Sequence, residues 1–337
     1  MRRLHCPACA ARLYFENSRC LRCGTELGFD PVERTLRRTD AAGLRPCANR
    51  ESACACNWLV AADDDNALCL SCRLTRTLPD LSPPGAAERW AEVEQAKRRL
   101  LYGLWRLGLD PAGEAGAPPL LFDVLSDAAA RAGATPSVQT GHQAGLVTLN
   151  LEEADPAYRE RARSAMDEPY RTVLGHLRHE SGHFFWPSLV ARHPQRLERF
   201  RALFGDERAD YGAALARHHA QGPPPDWTRT HISAYATSHP WEDWAETFAQ
   251  LLHVLDTLES AHALAVDAGV EDAAPFEDPY AERDGRRLAT RFAPVGAALN
   301  ELNRAMGLPD AYPFVCPPPA AEKLAFVREA VEAEPSP

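Results

Sequence analysis

The stretch His179-Glu180-Ser181-Gly182-His183 decides how the rest of the chain is read. On a helix, residues four apart lie above one another on one face, so both imidazoles can meet a single metal ion. Glu180 is then turned toward a water that the metal activates. Two histidines and a glutamate at this spacing are the ligand pair and general base of a zinc peptidase. The flanking residues supply the helix. Tyr170, Val173, Leu174 and Leu177 lay an apolar stripe before the motif, and no proline or turn signal interrupts residues 171–185. Pro187 is expected to stop the helix within a turn.

A catalytic zinc needs a third protein ligand. Downstream runs Tyr235-Ala-Thr-Ser-His239-Pro240-Trp241-Glu242-Asp243-Trp244-Ala-Glu246. Pro240 suits the first turn of a helix, and the acids after it favour the positive N-terminal end. Trp241 and Trp244 make this a helix that packs inward rather than a solvated one. Glu242 and Glu246 are four apart and share a face; one can ligate zinc while the other holds a ligand histidine from behind. Two histidines, a carboxylate and an open position form a catalytic set. His239, just before this helix, is a candidate donor to an oxyanion.

Nine of the ten cysteines fall before residue 73. Cys6-Pro-Ala-Cys9 and Cys20-Leu-Arg-Cys23 are two knuckles that together close one structural tetrahedral zinc site. A second set, Cys47, Cys54, Cys56, Cys69 and Cys72, holds one thiolate more than a single zinc takes. Cys316 follows Tyr312, Pro313 and Phe314 and reads as an inert buried thiol. Zinc is therefore the expected cofactor, one ion catalytic and one or two structural.

At 337 residues the chain has room for one small and one large domain. With 45% hydrophobic residues and no apolar run near the length of a membrane span, it reads as globular, with no membrane partner. It begins Met-Arg-Arg-Leu-His-Cys, without the apolar core of a signal peptide, so the reducing cytoplasm is expected and the cysteines read as metal ligands. Residues 1–50 carry ten arginines, no lysine and five acids, a formal +5 against −10 for the whole chain. Four thiolates on Zn²⁺ subtract from that charge, and no aromatic stripe alternates with the arginines, so nucleic acid is not the expected partner.

Composition shifts at Pro79, Pro83, Pro84 and Gly85. The expected division is a cysteine-rich zinc-ribbon region, 1–80, and a mainly helical zincin-like domain with a small sheet, 81–337: an α+β protein. Trp90, Val93, Leu100, Leu101, Leu104 and Trp105 mark a long amphipathic helix. Leu120–Val124 and Leu146–Asn150 read as strands, and the chain beyond residue 194 as helices broken by Gly222-Pro-Pro-Pro-Asp-Trp227.

CPAC…CLRCG, CNWL, LCLSCRLTRTLPDLS, TGHQAGLVTLNLEEADP, RHESGH, HPWEDWAETFAQLLH and NRAMGLPDAYPF extend from residue 6 to about residue 315. Across these stretches the chain resembles the bacterial zinc-binding metallopeptidases that carry an N-terminal zinc ribbon. Its tyrosine and two glutamates are spaced as in the glutamate-liganded zincins of the lethal-factor type. The resemblance implies that His179, His183 and Glu242 are ligands, Glu180 the base, Tyr235 an oxyanion donor and Glu246 a support for a ligand. It favours Cys47, Cys56, Cys69 and Cys72 as the second cysteine site, with Cys54 spare. It also implies that Leu146–Asn150 is an exposed sheet edge to which an extended peptide adds as a strand. The substrate class is then peptide or protein, and the ribbon is available to a protein partner. The competing reading is a non-catalytic zinc-ribbon protein that binds protein or nucleic acid, its zincin-like body holding metal only for structure. Three further histidines are candidates of lower rank: His142 facing substrate, His176 facing the site, and His253 behind the ligands.

Overall fold

Each cysteine knuckle at the N-terminus is first a tight turn. The computed structural model describes all residues except 114–117, 128–140, 144, 167, 267, 269–277 and 333–337. In it β1 (Leu4–His5) and β2 (Arg12–Leu13) pair antiparallel around Cys6 and Cys9. Ala10 and Gly24, each following the second cysteine of its pair, take left-handed conformations at φ 57° and 74°. There they donate to the carbonyls of Cys6 and Cys20 at 2.9 and 2.8 Å. Two more hairpins follow, β3 (Leu27–Asp30) with β4 (Thr35–Arg38) and β5 (Leu44–Pro46) with β6 (Leu59–Ala61). A one-turn helix, α1 (Leu70–Arg73), begins at Cys69. Phe15, Phe29, Trp58 and Tyr102 close a small aromatic core, with centroids from 4.7 to 6.5 Å apart.

The long helix expected from the tryptophan and leucine spacing is α2 (Ala86–Arg106). A mixed sheet has the order β7-β8-β10-β9, from β7 (Thr75–Thr77), β8 (Leu121–Leu125), β9 (Gly141–Gln143) and β10 (Leu146–Asn150). Here the sequence expectation needs correction. β10 is not an edge: β8 pairs with it in parallel on one side, and β9 antiparallel on the other. The cause is local. Gly145, at φ 89°, reverses the chain so that Gly141–Gln143 folds back onto β10. His142 therefore lies on the outer strand, and its side chain is outside the described residues. Two helices follow, α3 (Pro156–Met166) and α4 (Val173–Trp186).

Pro187 does not end α4 outright. Residues Pro187–Ala191 continue it as a π-helical turn, closed by Arg192 N–H on the carbonyl of Pro187 at 3.1 Å. A proline has no N–H to give the preceding turn, and the wider turn absorbs that loss.

The chain forms two compact units, residues 1–102 with 111–177, and residues 103–110 with 178–337. The second is helical: α5 (Pro194–Phe204), α6 (Tyr211–Gln221), α7 (Pro240–Leu264), α8 (Gly285–Ala305) and α9 (Pro318–Glu332). Its core is aromatic, with Trp244 of α7 against Phe200 and Phe204 of α5, Phe326 of α9 and Phe248 of its own helix. Each is nearly or wholly withdrawn from water, worth roughly 1.5–3 kcal/mol for a phenylalanine. α7 is the central rod: it buries fifteen of its residues, Glu242 and Asp243 among them. Lys323 of α9 donates to Asp243 at 2.5 Å and to the Thr230 carbonyl at 3.3 Å, which offsets the cost of burying that carboxylate. Cys316, expected to be buried, is exposed, because Tyr312 and Phe314 turn toward each other and Tyr312 toward Phe292, leaving the cysteine outside. Among the described residues no helix is long and apolar enough to cross a membrane. The architecture is α+β: an N-terminal zinc ribbon followed by a mainly helical domain with a small sheet.

Candidate metal centre

Helix α4 brings His179 and His183 onto one face, and α7 crosses beside them at Gly182. A methyl group on Gly182 would lie 3.0 Å from the Ala245 Cα and 3.2 Å from the Phe248 Cβ, so only glycine allows this approach. The indole of Trp244 locks the crossing by donating to the Gly182 carbonyl at 2.8 Å. The first turn of α7 is built as its sequence suggests, with Pro240 opening the helix and Glu242 and Asp243 at its positive end.

Glu242 thereby meets both histidines. His179 Nε2 is 2.9 Å from Glu242 Oε2, His183 Nε2 is 3.2 Å from His179 Nε2, and His183 Nε2 is 3.5 Å from Glu242 Oε1. Donor atoms about 2.0–2.1 Å from a tetrahedral zinc stand roughly 3.3 Å from one another; the two imidazole nitrogens meet that spacing, and one ligand atom from each of His179, His183 and Glu242 lies within 4.8 Å of the others. Against the burial that would raise it, His179 and His183 hold the Glu242 carboxyl well below the usual range. Against burial acting in the other direction, Glu242 and Glu246 hold His179 well above its usual value.

The second carboxylate of the helix stands behind a ligand. Glu246 Oε1 accepts from His179 Nδ1 at 2.8 Å, and its other oxygen accepts from the Ser233 hydroxyl at 2.6 Å. This chain of bonds fixes the ring's orientation and tautomer, leaving Nε2 for a metal. Glu180 feels the charges of His179, His183 and Glu242, and among the described residues its carboxylate makes no hydrogen bond or ion pair. Burial lifts its pKa, while His179 and His183 pull it back down. The ring of Tyr235 lies 5.9 Å from that of His179; burial and the charge of Glu242 keep its phenol protonated.

His239 does not fill the role expected of it. Its Nδ1 accepts from Trp241 N–H at 3.1 Å, and its Nε2 donates to the Ala209 carbonyl at 3.1 Å. Both nitrogens are spent on capping α7 and holding the preceding loop, so His239 has no donor left for an oxyanion. His176 lies beside Glu153, 4.0 Å away, outside the metal group. His253 shares a 2.6 Å bond with Arg178, and burial followed by that guanidinium keeps it neutral. Sequence reasoning missed two contributors. The Tyr211 hydroxyl donates to Glu242 Oε1 at 2.7 Å, and Ser233 supports Glu246. Asp210 caps α6 just before Tyr211, but nothing in the sequence aims Tyr211 at Glu242.

The N-terminal thiols gather into two groups of four, Cys6, Cys9, Cys20 and Cys23, and Cys47, Cys56, Cys69 and Cys72, each set within 4.8 Å. Sulfur pairs at 3.6, 3.7 and 3.6 Å match the roughly 3.8 Å edge of a zinc–thiolate tetrahedron. Cys54 is left out of the second four; it lies near Cys72 and Glu94, its thiol 3.6 Å from the Asn49 carbonyl.

Residues 86–330 match the family described as "putative zinc-binding metallo-peptidase", and residues 3–83 match a zinc-ribbon domain. The chain belongs to that metallopeptidase family. Uncharacterized proteins of Mycobacterium bovis and of two strains of Mycobacterium tuberculosis are each 44% identical to it over 337 residues, covering 98% of this chain and 96% of theirs. No solved structure matches it significantly. Family membership and the cysteine groups together make this a zinc-binding protein.

Proposed function

We propose that the chain is a zinc-dependent peptidase, with one zinc on His179, His183 and Glu242 and two more in the cysteine groups. The observation that carries this reading is Glu180. This half-buried carboxylate follows a ligand histidine in sequence, feels the charges of both histidines and Glu242, and makes no hydrogen bond or ion pair among the described residues. A metal site built only for structure closes its fourth position and has no use for such a group.

Bound zinc would supply Lewis acidity and bring the pKa of a water near 7. Glu180, its own pKa raised by burial, takes the proton from the attacking water and returns it to the leaving amine. Tyr235, kept protonated, donates to the oxyanion that develops on the carbonyl. Glu246 and Ser233 hold His179 still throughout. The ten cysteines, eight of them gathered as candidate zinc ligands, suit a reducing cytoplasm as the place of action.

The test is Glu180→Gln, which keeps size and leaves all three ligands in place. The variant should fold and keep its zinc while hydrolysis of a peptide library falls by at least ~10²–10⁴-fold. An unchanged rate would remove Glu180 from the reaction. A wild-type chain that cuts no peptide in the library or in a cell lysate would favour a binding protein.

A further inference from the structure

We propose that Tyr211 is a positioning residue of the metal site, holding one oxygen of Glu242 so that only the other is left for the metal. The inference rests on the His179, His183 and Glu242 set proposed above. The Tyr211 hydroxyl donates to Glu242 Oε1 at 2.7 Å, while Glu242 Oε2 is the oxygen 2.9 Å from His179 Nε2. A carboxylate with both oxygens free can take a metal through one or both of them. A phenol on one oxygen draws off its charge, fixes the carboxylate plane and leaves a single-oxygen ligand, which suits a compact tetrahedral ion.

The phenol's place is built from several sides. Asp210 caps α6 by accepting from Ala213 N–H at 2.9 Å, which sets Tyr211 as the first residue of that helix. His239 holds the Ala209 carbonyl, and its ring meets that of Tyr211 edge-on at 5.2 Å. Trp241 stands on another side at 6.3 Å. Gly205 starts the loop at φ 106°, where an added methyl would lie 3.2 Å from Pro240 Cγ. Residues 205–211 are thus pinned to the turn of α7 that carries Glu242. Tyr211 as a residue remains 39% exposed, so this scaffold contributes to bringing its hydroxyl to Glu242. Tyr235 differs: its ring faces His179, and it makes no hydrogen bond to a ligand carboxylate among the described residues.

The experiment compares Tyr211→Phe with Tyr235→Phe, using cobalt(II) and zinc as probes in the full chain. Phenylalanine at 211 keeps the ring contacts with His239 and Trp241, and cobalt in the cysteine sites, read by its thiolate charge-transfer bands, reports that the fold persists. Tyr211→Phe should weaken metal binding at the His/His/Glu site by ~10- to 100-fold in chelator competition. It should also weaken the visible cobalt bands, as Glu242 swings to bind through both oxygens and coordination rises above four. Tyr235→Phe should leave affinity and spectrum as in the wild type. Unchanged affinity and spectrum in Tyr211→Phe, or an equal loss in Tyr235→Phe, would overturn the assignment. Both readouts follow the metal itself, so a chain that binds cobalt yet cuts nothing would refute the peptidase and leave this inference standing.

Discussion

Gly182→Ala separates stability from metal geometry more cleanly than removal of a ligand. The new methyl would sit 3.0 Å from the Ala245 Cα and 3.4 Å from its carbonyl oxygen, both backbone atoms that cannot rotate away. Carbon atoms rest about 3.5–4.0 Å apart, so α4 and α7 must separate by roughly half an ångström or more. Alanine in a helix interior gains about 1 kcal/mol over glycine, and overpacking costs about 1–3 kcal/mol. The net loss is therefore at most about 2 kcal/mol, a fall in Tm of several degrees for a unit this size. The metal site has no such compensation. Its ligands are divided between the two helices, and zinc bonds tolerate only about 0.2 Å. A half-ångström opening between His179 and Glu242, now 2.9 Å apart, should weaken zinc by at least ~10-fold, or about 1.4 kcal/mol. Thermal melting by circular dichroism and chelator competition read the two quantities separately. Wild-type affinity in a folded Gly182→Ala chain would refute the claim that this crossing sets the site.

The two carboxylates of α7 should separate in metal analysis. Glu242→Ala should empty the His/His/Glu site, whereas Glu246→Ala should retain zinc at ~10- to 100-fold lower affinity, and the reverse order would exchange their roles. The cysteines divide in the same way. Cys56→Ser should lower the zinc content by one ion per chain while Cys54→Ser leaves it unchanged, read by mass spectrometry under native conditions.

What the sequence carried well was periodic. His179 and His183, and Glu242 and Glu246, are four apart on helices whose apolar neighbours and proline start were plain, so their faces followed from helix geometry alone. The knuckles were equally legible, since a CxxC turn needs no distant partner to take shape. The resemblance to a family, rather than any spacing, separated Glu242 from Glu246 and Cys56 from Cys54. What failed depended on tertiary neighbours. His239 reads as a free imidazole until Ala209, thirty residues earlier, arrives to accept its proton. The resemblance made β10 an edge, but the short β9 covers it, and three residues give too little pattern to announce a strand. Tyr211 reaches Glu242 across thirty-one residues of sequence, and no local pattern encodes that contact.

Helix α6 buries only Ala214 of its eleven residues, against fifteen of twenty-five in α7. A helix held by so little apolar contact opens locally at small free-energy cost, and its amides then exchange with solvent through excursions that leave the core intact. Each such excursion lifts the Tyr211 phenol off Glu242. Metal that binds more tightly to the closed form must in turn make opening rarer. Deuterium uptake along residues 211–221 should therefore slow as zinc is added, at a helix that carries no ligand of its own.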